Sequence, residues 1–481
     1  MSPSPKNERL SILALYCVPV TVLLITLIGP ILRDGMFIDG LVYTNLAKNM
    51  AAGHGSLWKP ILDVGGPVFY EHPALLPFIQ SGFFRLFGDG AHTEDYYNFT
   101  VLAFTLLLMY KLWQRLVPRQ DAKLFFFPLL LFALSQEVQL RYANTMLECG
   151  MTAFLLATVY GFVKLKDKSV VLALIATGVG TLLATLCKGP VGLFTLAMPF
   201  LYFFLVEKRF SFPALLLPGL TLLSGYAVLF LADPEAYAFV SNYLDQQVLA
   251  ALRGERIENI AGSRFSILKS LVMTNIPALA LCGLLYFFGR TSKPSLTDKQ
   301  RNSALWLLAV GATAILPIMV SIKQASYYQL PALPFLFLGL SLLVLPGLRS
   351  LLAYFEQRKV PRLILSAVGL AGLAAGLFVA CSMLGTTDRR DRSAMQEAAL
   401  IAEAMDRENI SVYQLRVLGD KQRFQSAMSY SVTGFLNRFH DIYHTKADSG
   451  ITLYLDTGGG VLPDAAWEVL VRQEGFLLVR E

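Results

Sequence analysis

Leu10–Leu32 reads LSILALYCVPVTVLLITLIGPIL, a run without a single charged side chain. At ~1.5 Å per residue a helix of this length crosses the ~30 Å of hydrocarbon in a bilayer. Water is absent there, so each backbone N–H and C=O must be satisfied inside the segment, and the run must be helical. Ten further apolar runs follow: Asn98–Leu116, Leu124–Ser135, Leu147–Val163, Val170–Cys187, Val191–Val206, Pro213–Leu231, Ile267–Gly289, Ser303–Ile322, Leu330–Leu345 and Leu363–Leu384. Composition agrees with them. A chain of 481 residues that is 55% hydrophobic and 16% charged, with 33 Phe, cannot hide its apolar side chains in one soluble core. Its mean hydropathy is +0.53. The fold class expected is a polytopic α-helical membrane protein of about eleven spans.

Connections between the runs alternate in character. One set is short and basic, carrying Lys111, Arg115, Arg119 and Lys123, then Lys164, Lys166 and Lys168, then Lys208 and Arg209. The same set continues with Arg290, Lys293, Lys299 and Arg301, and with Arg349, Arg358, Lys359 and Arg362. Lys6 and Arg9 place the N-terminus with it, on the cytoplasmic side by the positive-inside bias. An odd number of spans then puts the segment beyond Gly385 outside. This bias accounts for most of the net charge of +7, so no nucleic-acid partner is implied. No cleavable signal is expected, because the first run is too long and no small-residue cleavage pattern follows it. All five cysteines fall in or at spans, which argues against an extracytoplasmic disulfide framework.

Residues 1–385 form the expected membrane domain and residues 386–481 a small α/β domain. The boundary is abrupt, at Thr386-Thr387-Asp388-Arg389-Arg390-Asp391-Arg392. Ser393–Arg407 has amphipathic helical spacing, and Ser426–Arg438 is a second expected helix. Ile410–Leu418, Ile451–Leu455 and Trp467–Val479 read as strands, the last a hairpin turning at Glu474-Gly475. Gly458-Gly459-Gly460 is read as a plain turn.

The loop of residues 33–97 is the expected seat of chemistry. It holds Asp39-Gly40-Leu41-Val42-Tyr43 and Phe69-Tyr70-Glu71-His72-Pro73, among many glycines, prolines and aromatics. Carboxylates kept at a bilayer surface suit a polar reaction on a lipid-borne substrate. Asp39-Gly-x-x-Tyr43-x-x-x-Ala47-x-x-Met50 resembles the first-loop signature of the glycosyltransferase-C superfamily. The nearest group is that of the aminoarabinose transferases and protein O-mannosyltransferases. Phe69–Leu75 is similar to that group's Tyr-Phe-Glu-Lys-Pro-Pro-Leu stretch. Phe87-Gly88, Arg141-Tyr142-Ala143, Lys188-Gly189-Pro190 and Lys323 with Tyr327-Tyr328-x-Leu330-Pro331-x-x-Pro334 match further landmarks in order. Three positions depart from the pattern. Gly40 stands where the family has a second acid, His72 where it has a lysine, and Met146 where it has an acid, with Glu148 two residues on.

The resemblance implies an integral membrane glycosyltransferase of the cytoplasmic (inner) membrane. It would take a sugar from a polyprenyl phosphate and transfer it, with inversion, to a lipid A-type glycolipid or to a protein. Asp39 is the implied general base, with Glu71 sharing that role or positioning the acceptor. Without the resemblance, Asp39 suits a helix cap and Glu71 an interfacial acid paired to Arg85 or Lys59. Lys188, His72, Arg264 and Lys323 are the candidates for the donor phosphate; Lys188 also suits a snorkelling lysine. Tyr43, Tyr327, Tyr328, Arg141 and Glu148 are the candidates for substrate binding, although Arg141 with Glu148 also reads as a structural ion pair. No cofactor is assigned, and a divalent metal stays open. Two other readings remain: a polytopic transporter or flippase whose acids bind cations, and a related scaffold without activity. A transporter would bury its charges near mid-span at broken helices, whereas these cluster at span ends.

Overall fold

The computed structural model describes residues 5–253, 255, 262–290, 295–320, 324–410, 414–419, 427–445, 451–455, 468–473 and 476–480. The protein is a polytopic helical membrane protein with a small stranded segment at its C-terminal end. Among the described residues seven helical segments are long and apolar enough to cross a membrane, or up to nine if each of two bent pairs is one span. The Leu10–Leu32 run lies within one of them, Glu8–Ile31. Near its end the helix widens into a π-turn, Leu24–Ile28. Pro30, which has no N–H and crowds the carbonyl four residues earlier, accounts for that widening. This span packs along Lys359–Met383. Gly369, Gly372 and Gly376 lie against Cys17, Thr21 and Leu24, so small residues let the two backbones approach.

Two of the expected runs, Val170–Cys187 and Val191–Val206, belong to one continuous helical segment, Val170–Leu205. It reverses at Lys188-Gly189, because Thr181 Oγ1 and Thr195 Oγ1 meet at 2.9 Å and Gly192 backs onto Ala184. Gly189 makes the reversal possible. Its φ is +70°, and a Cβ there would fall on the Tyr243 hydroxyl. Lys188 therefore sits at the tip of a hairpin rather than in the middle of a span.

The short run Leu124–Ser135 is one arm of a bent pair, in which Arg119–Leu134 meets Gln136–Tyr142 at 74°. The other bent pair, Ser266–Met273 with Ile276–Gly289, turns by 68°. The two bends support one another, since Gln136 N donates to Thr274 O at 3.1 Å. The Asn98–Leu116 run lies in the helix Thr93–Leu116, whose first turn carries Glu94 and Asp95.

Basic connections gather at one end of the bundle. Lys123 pairs with Glu8, and Arg349 with Asp121 at 2.6 Å. Asp167, held below the ordinary carboxylate range by a hydrogen bond from Lys166, also feels Arg115 and Lys299. All five cysteines are free thiols.

At the C-terminal end the helices Arg392–Arg407 and Ala427–His440 lie beside a five-stranded sheet. Its strands are β1 (Gln414–Gly419), β2 (Tyr443–Thr445), β3 (Ile451–Leu455), β4 (Glu468–Gln473) and β5 (Phe476–Arg480), in the order β2-β1-β3-β5-β4. β1 runs parallel to β2 and β3, and β5 antiparallel to β3 and β4. The expected hairpin is present as β4–β5. β2 was not expected, because three residues are too few to show a period. Gly458-Gly459-Gly460 and the Glu474-Gly475 turn lie outside the described residues.

Candidate functional site

The first-loop helix is Ile38–Ala51. Its N-cap is Phe37, with no side-chain capping bond, so Asp39 lies inside the first turn. The cap reading of Asp39 is thereby corrected. A carboxylate in that turn still gains from the unpaired N–H groups of the helix start. The backbone N–H of Phe37 is taken up by Asn144, whose Oδ1 lies 2.5 Å away.

Gly40 explains one departure from the family pattern. A Cβ at this position would fall on the carbonyl oxygen of Asn144. The helix start thus docks on the corner between Gln136–Tyr142 and Leu147–Leu165, where Thr145 has a φ of +50°. No second acid fits there. That corner fixes Asp39 relative to Arg141 on one side of the bend and Glu148 on the other.

Tyr43, one turn beyond Asp39, is buried, and its hydroxyl is held protonated well above the usual range. Burial is the main cause, and the charges of Asp39, Glu148, Tyr327 and Glu71 add to it. Four separate stretches of sequence therefore meet around this phenol. His72 lies against it, ring centroids 5.9 Å apart at 63°. Glu71 is exposed beside it. The proposed partners of Glu71 are engaged elsewhere, Lys59 with Glu235 and Arg85 with the carbonyl of Met50.

Lys188 is 4% exposed and does not snorkel to the surface. Its Nζ bonds Glu148 Oε1 at 2.5 Å, and it lies 5.1 Å from the centroid of Tyr327 and 5.9 Å from that of Tyr328. Glu148 is 0% exposed, and no donor among the described residues reaches its Oε2. The expected Arg141–Glu148 pair is therefore replaced by Lys188–Glu148. Arg141 turns to Glu137 instead, at 3.0 Å, and its guanidinium lies 5.0 Å from the centroid of Tyr327 and 5.8 Å from that of Phe37. Tyr327 thus has two cations close to its ring, which meets Tyr328 edge-on at 4.8 Å.

Glu137 was missed in the sequence, although its i,i+4 spacing to Arg141 on a helix was a usable signal. Asn144 was missed as well, and nothing local marked it. Arg264 is exposed, with its carbonyl accepting from Gln324 at 3.0 Å. It is not brought into the cluster by any described contact. Lys323 lies outside the described residues. Among the described residues no three His, Cys, Asp or Glu side chains gather at metal-ligand spacing.

A family profile described as dolichyl-phosphate-mannose-protein mannosyltransferase matches residues 11–229. The fold is similar to that of ArnT from Cupriavidus metallidurans. The undecaprenyl phosphate-bound crystal structure superposes with a TM-score of 0.59 at 13% identity, over 99% of this chain and 98% of that one. The apo structure gives a TM-score of 0.60 at 12% identity, over 96% and 95%. None of the curated proteins matches the sequence of this chain. The profile match and the shared fold agree with the resemblance drawn from the first-loop motifs.

Proposed function

We propose that this protein is an integral membrane glycosyltransferase that takes a sugar from a polyprenyl phosphate. The observation that carries the reading is the convergence of Asp39, Tyr43, Glu148, Lys188 and Tyr327 at one end of the helical bundle. The mannosyltransferase profile over residues 11–229 supports it. So does the fold shared with an ArnT that binds undecaprenyl phosphate. Charges grouped at a hairpin tip, rather than at mid-span, favour a transferase over a transporter.

In this reading Asp39 takes the proton of an acceptor hydroxyl or amine. The acceptor atom bonds to the anomeric carbon as the bond from that carbon to the phosphate oxygen breaks, with inversion. The electron pair leaves on the phosphate, whose growing charge Lys188 and Arg141 offset. The free Oε2 of Glu148 accepts a hydrogen bond from a sugar hydroxyl. Tyr327 and Tyr328 give the sugar an aromatic wall, and Glu71 and His72 line the entry. We assign the chemistry to residues 1–385 and to the outer face of the cytoplasmic membrane, with the N-terminus inside and residues 386–481 outside. The acceptor is a lipid A-type glycolipid or a protein.

The test is transfer by purified protein in lipid nanodiscs, supplied with a radiolabelled polyprenyl-phosphate sugar and with membrane lipid or protein from a deletion strain. Label moving to an acceptor, with equimolar release of polyprenyl phosphate, supports the reading. Retention of all label on the donor across several sugars, with uptake of the donor across a sealed vesicle instead, overturns it in favour of a transporter.

A further inference from the structure

Asp39 is flanked by two side chains that pack into another part of the protein. Met36 and Leu41 are buried in the hydrophobic core of the C-terminal segment, with Ala398, Ile401, Phe435 and Phe476. That core is incomplete without these two first-loop side chains. Polar contacts continue along the same helix. Asn45 Nδ2 donates to Gly434 O at 2.9 Å, and a Cβ at Gly434 would fall 2.5 Å from Leu41 Cδ2. Lys48 is buried, yet its Nζ reaches Asn437 O at 2.6 Å and Arg438 O at 3.0 Å. These carbonyls belong to the last turn of Ala427–His440, where no intrahelical donor remains. Its charge is met by Asp89 at 3.0 Å and Asp441 at 2.8 Å.

Arg438 returns the grip from the other chain segment. Its side chain is 1% exposed and bonds Asp89 at 2.5 Å, Gly90 O at 2.7 Å and Glu94 at 2.6 Å. The fork thereby joins the C-terminal helix to the start of Thr93–Leu116. A short backbone bridge adds a third attachment, with Asp34 N donating to Thr386 O and Asp388 N to Asp34 O, both at 2.9 Å. Asp39 is thus bracketed, by Asn144 against Gly40 on one side and by the C-terminal segment on the other.

We infer that Lys48 and Arg438 are positioning residues, through which the C-terminal segment fixes the rotation and depth of the helix bearing Asp39. The segment supplies no reacting atom and yet sets the rate. Fixing matters because a displacement of about 1 Å costs on the order of 10²-fold in turnover. The inference deepens the transferase reading and rests on it for turnover, but the grip itself has a readout that needs no turnover.

The experiment compares full-length wild type with Arg438→Lys, Arg438→Met and Glu94→Gln in nanodiscs. Hydrogen exchange of residues 41–50 is followed beside kcat and donor KM. Arg438→Met is expected to speed exchange of that helix ~10-fold or more, with Leu147–Leu165 unchanged. kcat should fall ~10-fold or more while donor KM stays within about threefold. Arg438→Lys, which keeps the charge and loses the fork, should recover part of both. Glu94→Gln keeps the shape of the partner and serves if Arg438→Met does not fold. Unchanged exchange in residues 41–50, or faster exchange with unaltered kcat, overturns the inference. Faster exchange in a protein whose wild type transfers no sugar leaves the grip standing and removes the transferase reading.

Discussion

Lys188 Nζ and Glu148 Oε1 meet at 2.5 Å with neither side chain open to solvent. One comes from a hairpin tip and the other from the first turn of Leu147–Leu165. A buried ammonium without a counter-charge is costly, so the carboxylate is what holds Lys188 in place. Removal of one partner should cost ~3–5 kcal/mol, because the other is left buried and unpaired. Glu148→Leu or Lys188→Met alone should therefore unfold early in a thermal melt in detergent. The double variant should recover most of the stability and yet fail to turn over donor. Recovery of activity along with stability would reduce the pair to a structural one.

Lys188→Ala should impair donor use far more than Lys168→Ala, which alters an exposed lysine in a basic connection. Turnover on a polyprenyl-phosphate sugar is the measurement. Equal and small effects would detach Lys188 from the leaving phosphate.

Asp39→Asn removes the basic oxygen and keeps nearly the same shape. Asp39 lies within the first helical turn and is not its N-cap residue, so the melt should move little. Turnover should fall by ~10²-fold or more with donor binding retained. A near-normal rate would take Asp39 out of the reaction and make Glu71→Gln the next variant to assay.

Gly40→Glu supplies the acid of the pattern that the first loop resembles, and harm rather than gain is expected. Even the single Cβ of Gly40→Ala meets the Asn144 carbonyl, and overpacking of this kind costs ~1–3 kcal/mol. Both variants should melt lower and transfer less. An active, stable Gly40→Glu protein would show that the helix start can pull away from Asn144 freely.

Asp95 gives the stability a pH dependence. Burial pushes its carboxyl up to about 7; the hydrogen bond with His92 opposes this, and the charges of Glu94 and Asp34 add to it. The folded state then holds a proton that the unfolded chain, with the ordinary value of 3.8, releases earlier. This contribution is complete below about pH 4 and is lost as pH rises towards about 7. Melting temperature should decline between about pH 5 and 7.5, and Asp95→Asn should flatten the decline. An identical slope in the variant would assign the dependence to other groups.

Reporter fusions test sidedness. Those placed after Leu116, Val206 and Leu345 should be cytoplasmic, and those after Leu32, Leu231 and Leu384 exported. A cytoplasmic reporter after Leu384 would part the C-terminal segment from the first loop, against the contacts of Arg438 with Asp89 and Glu94.

The sequence by itself determined the class of the protein, because hydrocarbon allows only helices that satisfy their own backbones, and runs of ~20 apolar residues announce them. It also determined which loop carries the acids, and the helices and most strands of the C-terminal segment, through periodicities visible within a dozen residues. Partner choice was not legible. Glu148 is seven residues from Arg141 and forty from Lys188, and local spacing favoured the arginine; the reversal at Gly189 brought the lysine instead. Asp39 looked like a cap because helix starts blur by a residue or two, and Asn144, far along the chain, proved to be the group that receives the Phe37 N–H. Lys48 and Arg438 gave no signal at all. An isolated basic residue reads as solvated until the fold encloses it, and only tertiary packing placed these two against the carbonyls and carboxylates that make burying them favourable.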